Sequence, residues 1–159
     1  MHLGGAHFHH SSDYSQIYIV DGANPAIEGI ADISEETLSR RFRVAPNGVV
    51  VYTADCLRQV IRIAFSDSAP EVNLVEVLSE DRWTKVVETE VSFASGTFTL
   101  SSPSRAGTEA YGPHFKAVAP KMKLRISWLE YDEDRYNAFR AKPDVICLQF
   151  WPATSLCAA

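Results

Sequence analysis

Cysteine is scarce in this sequence, which has three cysteines among its 159 residues. Cys56, Cys147 and Cys157 include no CxxC pair, and an odd, sparse set of this kind predicts neither a disulfide framework nor a zinc site. We therefore expect reduced thiols. Apolar neighbours indicate that Cys56 and Cys147 are small core residues, whereas Cys157 lies in a short tail.

Long apolar runs and an excess of basic residues are also missing. Nowhere do about 18 apolar residues follow one another, which excludes a helical membrane span. The start, Met1 to His10, does not resemble a signal peptide, so we expect a cytoplasmic protein.

Fifteen Lys and Arg against 20 Asp and Glu give a net charge of −5. This acidic balance disfavours direct binding to nucleic acid, which depends on basic contacts with phosphate, and suits a basic protein partner.

No recognisable catalytic motif is present: the sequence has no GxSxG, no HExxH and no phosphate-binding glycine loop. His114 stands alone outside the first ten residues, and the sequence singles out no nucleophile to accompany it. The other histidines, His2, His7, His9 and His10, lie in the first ten residues. Their His-x-His pattern can bind a transition metal, but no nearby carboxylate or cysteine completes a closed site, and a tail that binds metal only adventitiously is the preferred interpretation. We therefore predict a binding protein, not an enzyme, without cofactor or metal. A hydrolase built around His114 is the last-ranked alternative.

The length and composition fit one globular domain, with 46% hydrophobic and 22% charged residues. We divide the chain into three parts. Residues 1–13 form a flexible, His-rich lead-in without periodicity, residues 14–152 form a single domain, and residues 153–159 form a tail.

Alternation of apolar and polar residues is the main structural signal in residues 14–152. It is clearest in KMKLRISW, which places Met122, Leu124, Ile126 and Trp128 on one face. Further strands are predicted at YSQIYIV, VVVY, RQVIRIAF, KVVETEVSF, TFTL and the segment 72–78, some from alternation and others from β-branched and aromatic residues. The last strand, 145–151, is apolar on both faces and therefore central. About eight strands in this arrangement predict a mainly-β protein, an antiparallel β-sandwich.

One short helix is predicted between the first two strands, from Glu35 to Arg41. Ser34 can cap its N-terminus, and two glutamates occupy the first turn, where the helix dipole favours acidic residues.

An acidic stretch follows the KMKLRISW strand and is the predicted partner-binding surface. It consists of Glu130, Tyr131, Asp132, Glu133 and Asp134. Opposite charge accelerates association and tyrosine supplies anchoring contacts, so this stretch fits a basic protein partner. A solvated turn is the alternative interpretation.

The long segment 103–120 is the second candidate surface. It contains three prolines and two glycines, and a loop of this length inside a domain is usually functional or disordered. Tyr111, His114 and Phe115 argue against simple disorder. As an alternative function, these three residues would form the lid of a small-ligand-binding β-sandwich.

Taken in order, the chain contains strand YSQIYIVD, helix ISEETLSRRF, turn and strand APNGVVVYT, and strand QVIRIAFSD, with VVETEVSF and KMKLRISW later. This order and its hydrophobic pattern resemble the competence protein J (ComJ) family over about Tyr14 to Trp151. Members are small acidic proteins that bind and inhibit a DNA-entry nuclease. The resemblance therefore implies an inhibitor or immunity-type protein with a nuclease partner. It carries over no motif residues, and the 103–120 loop and the His-rich start look longer than in the family.

Overall fold

Ten strands and one short helix make up the part of the chain that the structure describes. The computed structural model describes residues 1–29, 33–54, 58–70, 83–105, 113–130 and 143–154. In chain order the elements are β1 His2–Ser11, β2 Gln16–Asp21, α1 Glu35–Arg40, β3 Phe42–Ala45, β4 Gly48–Tyr52, β5 Arg58–Ser66, β6 Lys85–Ser92, β7 Thr97–Ser101, a 3-10 turn Pro103–Arg105, β8 His114–Lys116, β9 Lys121–Leu129 and β10 Val145–Pro152.

The strands form two five-stranded sheets. Sheet I has the order β1-β5-β10-β9-β6, and sheet II has the order β3-β4-β2-β7-β8. Neighbouring strands are antiparallel except for β5 and β10, which run parallel from the pair Val60–Val145 to the pair Phe65–Phe150. The predicted mainly-β, antiparallel β-sandwich is therefore confirmed, apart from this one parallel pair. The central place of the last strand is also confirmed, because β10 pairs with both β5 and β9.

The core lies between the two sheets and follows the predicted alternation. On β9, the side chains of Met122, Leu124, Ile126 and Trp128 are all at most 1% exposed. Across the core Phe98 of β7 stacks on Phe93 and meets Phe150 of sheet I, with ring centroids 4.8 and 4.9 Å apart. Alternate apolar positions thus bury one face of each sheet against the other.

The outward-facing residues in the middle of β9 and β10 are also buried, which the alternation in KMKLRISW does not indicate. Arg125, Ser127, Cys147 and Gln149 are each at most 7% exposed. The buried Arg125 guanidinium is paired there, because it donates to a Glu88 carboxylate oxygen and to the Pro70 carbonyl, both at 2.8 Å. Cys147 is a core residue, as expected, and burial raises the pKa of its thiol to about 12.

The helix prediction is confirmed almost to the residue. Ser34 accepts from the Thr37 N–H at 3.1 Å, and the Thr37 hydroxyl oxygen in turn accepts from the Ser34 N–H, so the two residues form a capping box. The helix ends at Arg41, whose φ of 66° is left-handed and whose N–H donates to the carbonyls of Thr37 and Leu38.

Strand β1 corrects the expectation of a flexible start. His2 to Ser11 pair antiparallel with β5, with a bulge between His2 and Gly4. Phe8 anchors this strand, because its ring turns inward and packs against the core, with its centroid 6.4 Å from that of the Phe115 ring. Glycine and histidine have little strand preference of their own, so tertiary packing decides this segment. The division of the chain at residues 14 and 152 stays a prediction.

Candidate functional site

Glu130 begins the predicted partner-binding stretch and lies at one end of the sandwich, directly after β9. Its carboxylate forms an ion pair with the Arg41 guanidinium, and the two side chains are only 10% and 18% exposed. Its backbone N–H donates to the Thr84 hydroxyl at 3.1 Å. The charge of Glu130 is therefore already compensated within the chain, so electrostatic attraction of a partner would depend on the acids that follow it.

Arg41 is held in place by contacts with two strands of the core. Its guanidinium donates to the Tyr52 carbonyl at 3.3 Å and lies over the Trp128 ring, 5.3 Å from the centroid. The Trp128 indole N–H donates to the same carbonyl at 3.0 Å. Helix α1, the end of β4 and the end of β9 are thus joined at one point. We call Arg41, Tyr52, Trp128 and Glu130 the Arg41 cluster.

The rest of the acidic stretch, Tyr131, Asp132, Glu133 and Asp134, lies outside the described residues. Its role in binding a partner stays a prediction. The structure does place its starting point, because the Arg41 cluster fixes the backbone at Glu130 to both sheets.

The alternative ligand-binding residues are divided between two environments. His114 is exposed on β8, whereas the Phe115 ring packs against the core, with its centroid 5.2 Å from that of Phe98 and 6.2 Å from that of Phe65. Tyr111 lies outside the described residues. A ligand that contacted the Phe115 ring would have to displace core contacts, so His114 is the more accessible of the two.

A cavity of about 620 Å³ opens at the opposite end of the sandwich, and the sequence did not indicate it. We call it the turn cavity, because it is formed where the Asp21-Gly22, Asn47-Gly48 and Ser95-Gly96 turns meet. Its lining includes Asp21, Glu28, Asn47, Ser95, Pro120 and Lys121. The turn signals are visible in the sequence, but their proximity follows from the strand order.

Asp21 is the best-defined polar group of the turn cavity. It is 4% exposed, and its two carboxylate oxygens accept from the backbone N–H groups of Ala23 at 2.9 Å and Ser95 at 2.8 Å. Burial opposes ionisation, but the hydrogen bonds from Ser95 and Ala23 prevail and hold the pKa of Asp21 below its usual value. The carboxylate therefore stays charged and locks two of the turns together.

Neither a metal site nor a membrane helix is found in the part of the chain that the structure describes. No group of three or more His, Cys, Asp or Glu side chains within one chain is arranged there to hold a metal ion. In the same residues, no helix has the length and apolar character that crossing a membrane requires.

The sequence matches no protein-family model and no curated protein. Two solved structures are similar. One is ComJ from Bacillus subtilis, described as an inhibitor of the DNA degrading activity of NucA, with a TM-score of 0.66, 10% identity and coverage of 96% of this chain and 97% of that one. The other is described as crocagin biosynthetic gene J, with a TM-score of 0.58, 13% identity and coverage of 95% and 98%.

At these identities the likeness establishes the fold. The chain is a two-sheet β-sandwich protein. Its architecture is that of ComJ over nearly the whole of both chains, which confirms the resemblance seen in the sequence at the level of fold.

Proposed function

We propose that this chain is a protein-binding inhibitor that blocks a partner nuclease. The observation that supports the proposal is the match to the ComJ inhibitor along 96% of the chain. A match of this extent includes the strands, the helix and their order, not one shared motif. Because the identity is 10%, the partner of this chain need not be the partner of ComJ.

The predicted surface for this function is the acidic stretch from Glu130 to Asp134. Nucleases bind the phosphates of DNA with basic residues, so an acidic surface on an inhibitor complements a nuclease electrostatically. The Arg41 cluster already fixes Glu130. At this end of the stretch, less conformational entropy is therefore lost when a partner binds.

The experiment combines the purified chain with a candidate nuclease, chosen from the genes that neighbour its own, and measures DNA cleavage and complex formation. We expect stoichiometric inhibition. The double variant Asp132→Asn/Glu133→Gln should slow association several-fold and weaken its dependence on salt, because charged groups at an interface mainly set the association rate. Glu35→Gln/Glu36→Gln on α1 removes the same charge elsewhere and serves as the matched control. Full cleavage at excess inhibitor, without a complex, would contradict the proposal.

The turn cavity supports a second candidate function, the binding of a small polar ligand. Its volume of about 620 Å³ falls in the range of roughly 300–1,000 Å³ that is typical of ligand pockets. His114 lies near it, since a Cβ atom at Gly22 would sit 3.3 Å from the His114 imidazole. In a thermal-shift screen of metabolites, a ligand of the turn cavity should then raise the melting temperature of the chain. The variant Lys121→Gln should reduce that rise. A screen without any shift would leave this function unsupported.

A further inference from the structure

Strand β1 is the edge strand that is least protected against pairing with another chain. Among the described strands, the edges of the two sheets are β1, β6, β3 and β8. β3 has four residues and β8 has three, whereas β6 carries Lys85, Glu88 and Glu90. Short length and charge are the usual devices that keep edges from pairing. β1 has ten residues without Lys, Arg, Asp, Glu or Pro.

The free edge of β1 also displays two imidazoles on one face. His7 and His9 are exposed and two positions apart, whereas Phe8 between them turns to the core. Residues two apart on a strand project to the same side, about 6.6 Å from each other. Imidazole is a ligand for Zn²⁺, Ni²⁺ and Cu²⁺, but a closed tetrahedral site needs four ligands. One chain supplies half of such a set.

We propose that β1 pairs antiparallel with β1 of a second copy of this chain about a two-fold axis at Phe8. In this register, His7 of one copy lies opposite His9 of the other. His7 and His9 of both copies then bind one divalent transition-metal ion. The inference rests on the edge and its histidines, and it is independent of the proposed nuclease inhibition.

The geometry of paired strands brings the four imidazoles within reach of one ion. Residues directly opposite one another on antiparallel strands have Cβ atoms about 4.5–5.5 Å apart. The four histidines would therefore occupy the corners of a small rectangle on one face of a continuous ten-stranded sheet. The pairing is self-complementary, as a two-fold interface requires. Ligands from the second copy complete a site that one copy leaves half-formed.

The charged neighbour of this site is Arg62 of β5, which lies opposite His7, whereas Val60 of β5 lies opposite His9. A guanidinium beside a metal ion is unfavourable. Arg62 is half-buried, but the two imidazoles are exposed, so solvent and salt screen part of this repulsion. Four metal–nitrogen bonds outweigh one screened interaction of this kind.

The test uses the full chain, freed of metal with a chelator and then titrated with Co²⁺ and Zn²⁺. Sedimentation velocity reports the mass, and the visible spectrum of Co²⁺ reports the ligands, since thiolate ligands add a charge-transfer band that imidazoles lack. We expect conversion to a dimer, one ion for every two chains, and a tetrahedral cobalt spectrum without that band.

The decisive variant is His7→Ala/His9→Ala, with His114→Ala on β8 as the matched histidine control. The double variant should stay monomeric and bind the ion more than about 100-fold more weakly, because even outer-shell partners of a metal contribute roughly 10–100-fold. The control should behave as the unmodified chain does. An ion bound by a monomer, a dimer that forms equally without metal or without the two histidines, or no binding at all would each overturn the proposal.

Discussion

Arg41 combines in one side chain the contacts that join the helix to both sheets. It forms an ion pair with Glu130, donates to the Tyr52 carbonyl and lies over the Trp128 ring. A guanidinium suits such a position because its planar, weakly hydrated group stacks on aromatic rings while it donates several hydrogen bonds. The residue that ends the helix is therefore also the residue that fixes the start of the acidic stretch.

Glu130→Gln tests the value of this ion pair, because it removes the charge and nearly preserves the shape. We expect a loss of about 2–3 kcal/mol in the free energy of unfolding. Removing one partner of a fully buried pair costs roughly 3–5 kcal/mol, and here solvent partly screens the charge that remains. Glu36→Gln breaks an exposed helix pair with Arg40 and should change stability by less than about 0.5 kcal/mol. Urea denaturation of both variants measures the difference, and equal effects would refute the cluster as a stabilising feature.

For single residues, the sequence indicated which residue types matter but not which partners they contact. Glu130 was predicted as part of an acidic stretch with a tyrosine, and Arg41 as the last residue of the helix. Their contact depends on β4 and β9 ending side by side, which no local pattern encodes. The same applies to the turn cavity, where Asp21 meets Ser95 across two different turns.

Among the elements, the antiparallel pair of β6 and β9 carries a ladder of opposite charges. Glu90 lies opposite Lys123 and binds Lys121 at 2.7 Å and Lys123 at 2.9 Å. Hydrogen bonds from Lys121 and Lys123 lower the pKa of Glu90 from 4.5 to about 2. The ladder gives β6 a charged outer edge, which is the protection that β1 lacks.

The pKa of Glu90 predicts how stability depends on pH. Because the pKa in the folded state is below the ordinary value of 4.5, the ionised carboxylate stabilises the fold above pH 4.5. This contribution is lost as the pH falls toward about 2. Urea denaturation should therefore show the unmodified chain to be more stable than Glu90→Gln above pH 4.5, with the gap closing toward pH 2. A pH-independent gap for Glu90→Gln would contradict the assignment.

Elements with a strong period of two, a run of apolar β-forming residues or a helix cap could be predicted from the sequence, whereas very short or glycine-rich strands could not. β9 and β6 follow their alternation, and the capping residues located α1. β3 and β8 are too short to show a period, and β1 carries glycines and histidines in place of β-branched residues. The predicted strand at 72–78 lies outside the described residues and stays a prediction.

The molecule as a whole depends on aromatic contacts that cross between the sheets. Phe98 on sheet II is 0% exposed and has its ring centroid within about 6 Å of those of Phe65, Phe93, Phe115 and Phe150. Because β5 and β10 of sheet I contribute two of these rings, neither sheet has a complete hydrophobic core without the other. We therefore expect the two sheets to unfold together.

Phe98→Ala should lower the free energy of unfolding by about 3–5 kcal/mol, since it removes a large buried side chain and leaves a cavity. Tryptophan fluorescence and far-ultraviolet circular dichroism should still report one coincident transition. Tyr14→Ala, at a position that is 73% exposed, is the control with little expected effect. Separate transitions for the two probes would show that the sheets are independent units.

The position of β10 has a consequence for the order in which the protein is made. β10 follows the other nine strands along the chain, yet it lies between β5 and β9 in the middle of sheet I. On the ribosome, sheet II can therefore form once β8 has emerged, whereas the two halves of sheet I have nothing to join them until β10 has emerged as well. The Phe98 side of sheet II is exposed in the meantime. We expect the nascent chain to be at its most aggregation-prone, and most in need of chaperones, in the interval between the emergence of β8 and that of β10.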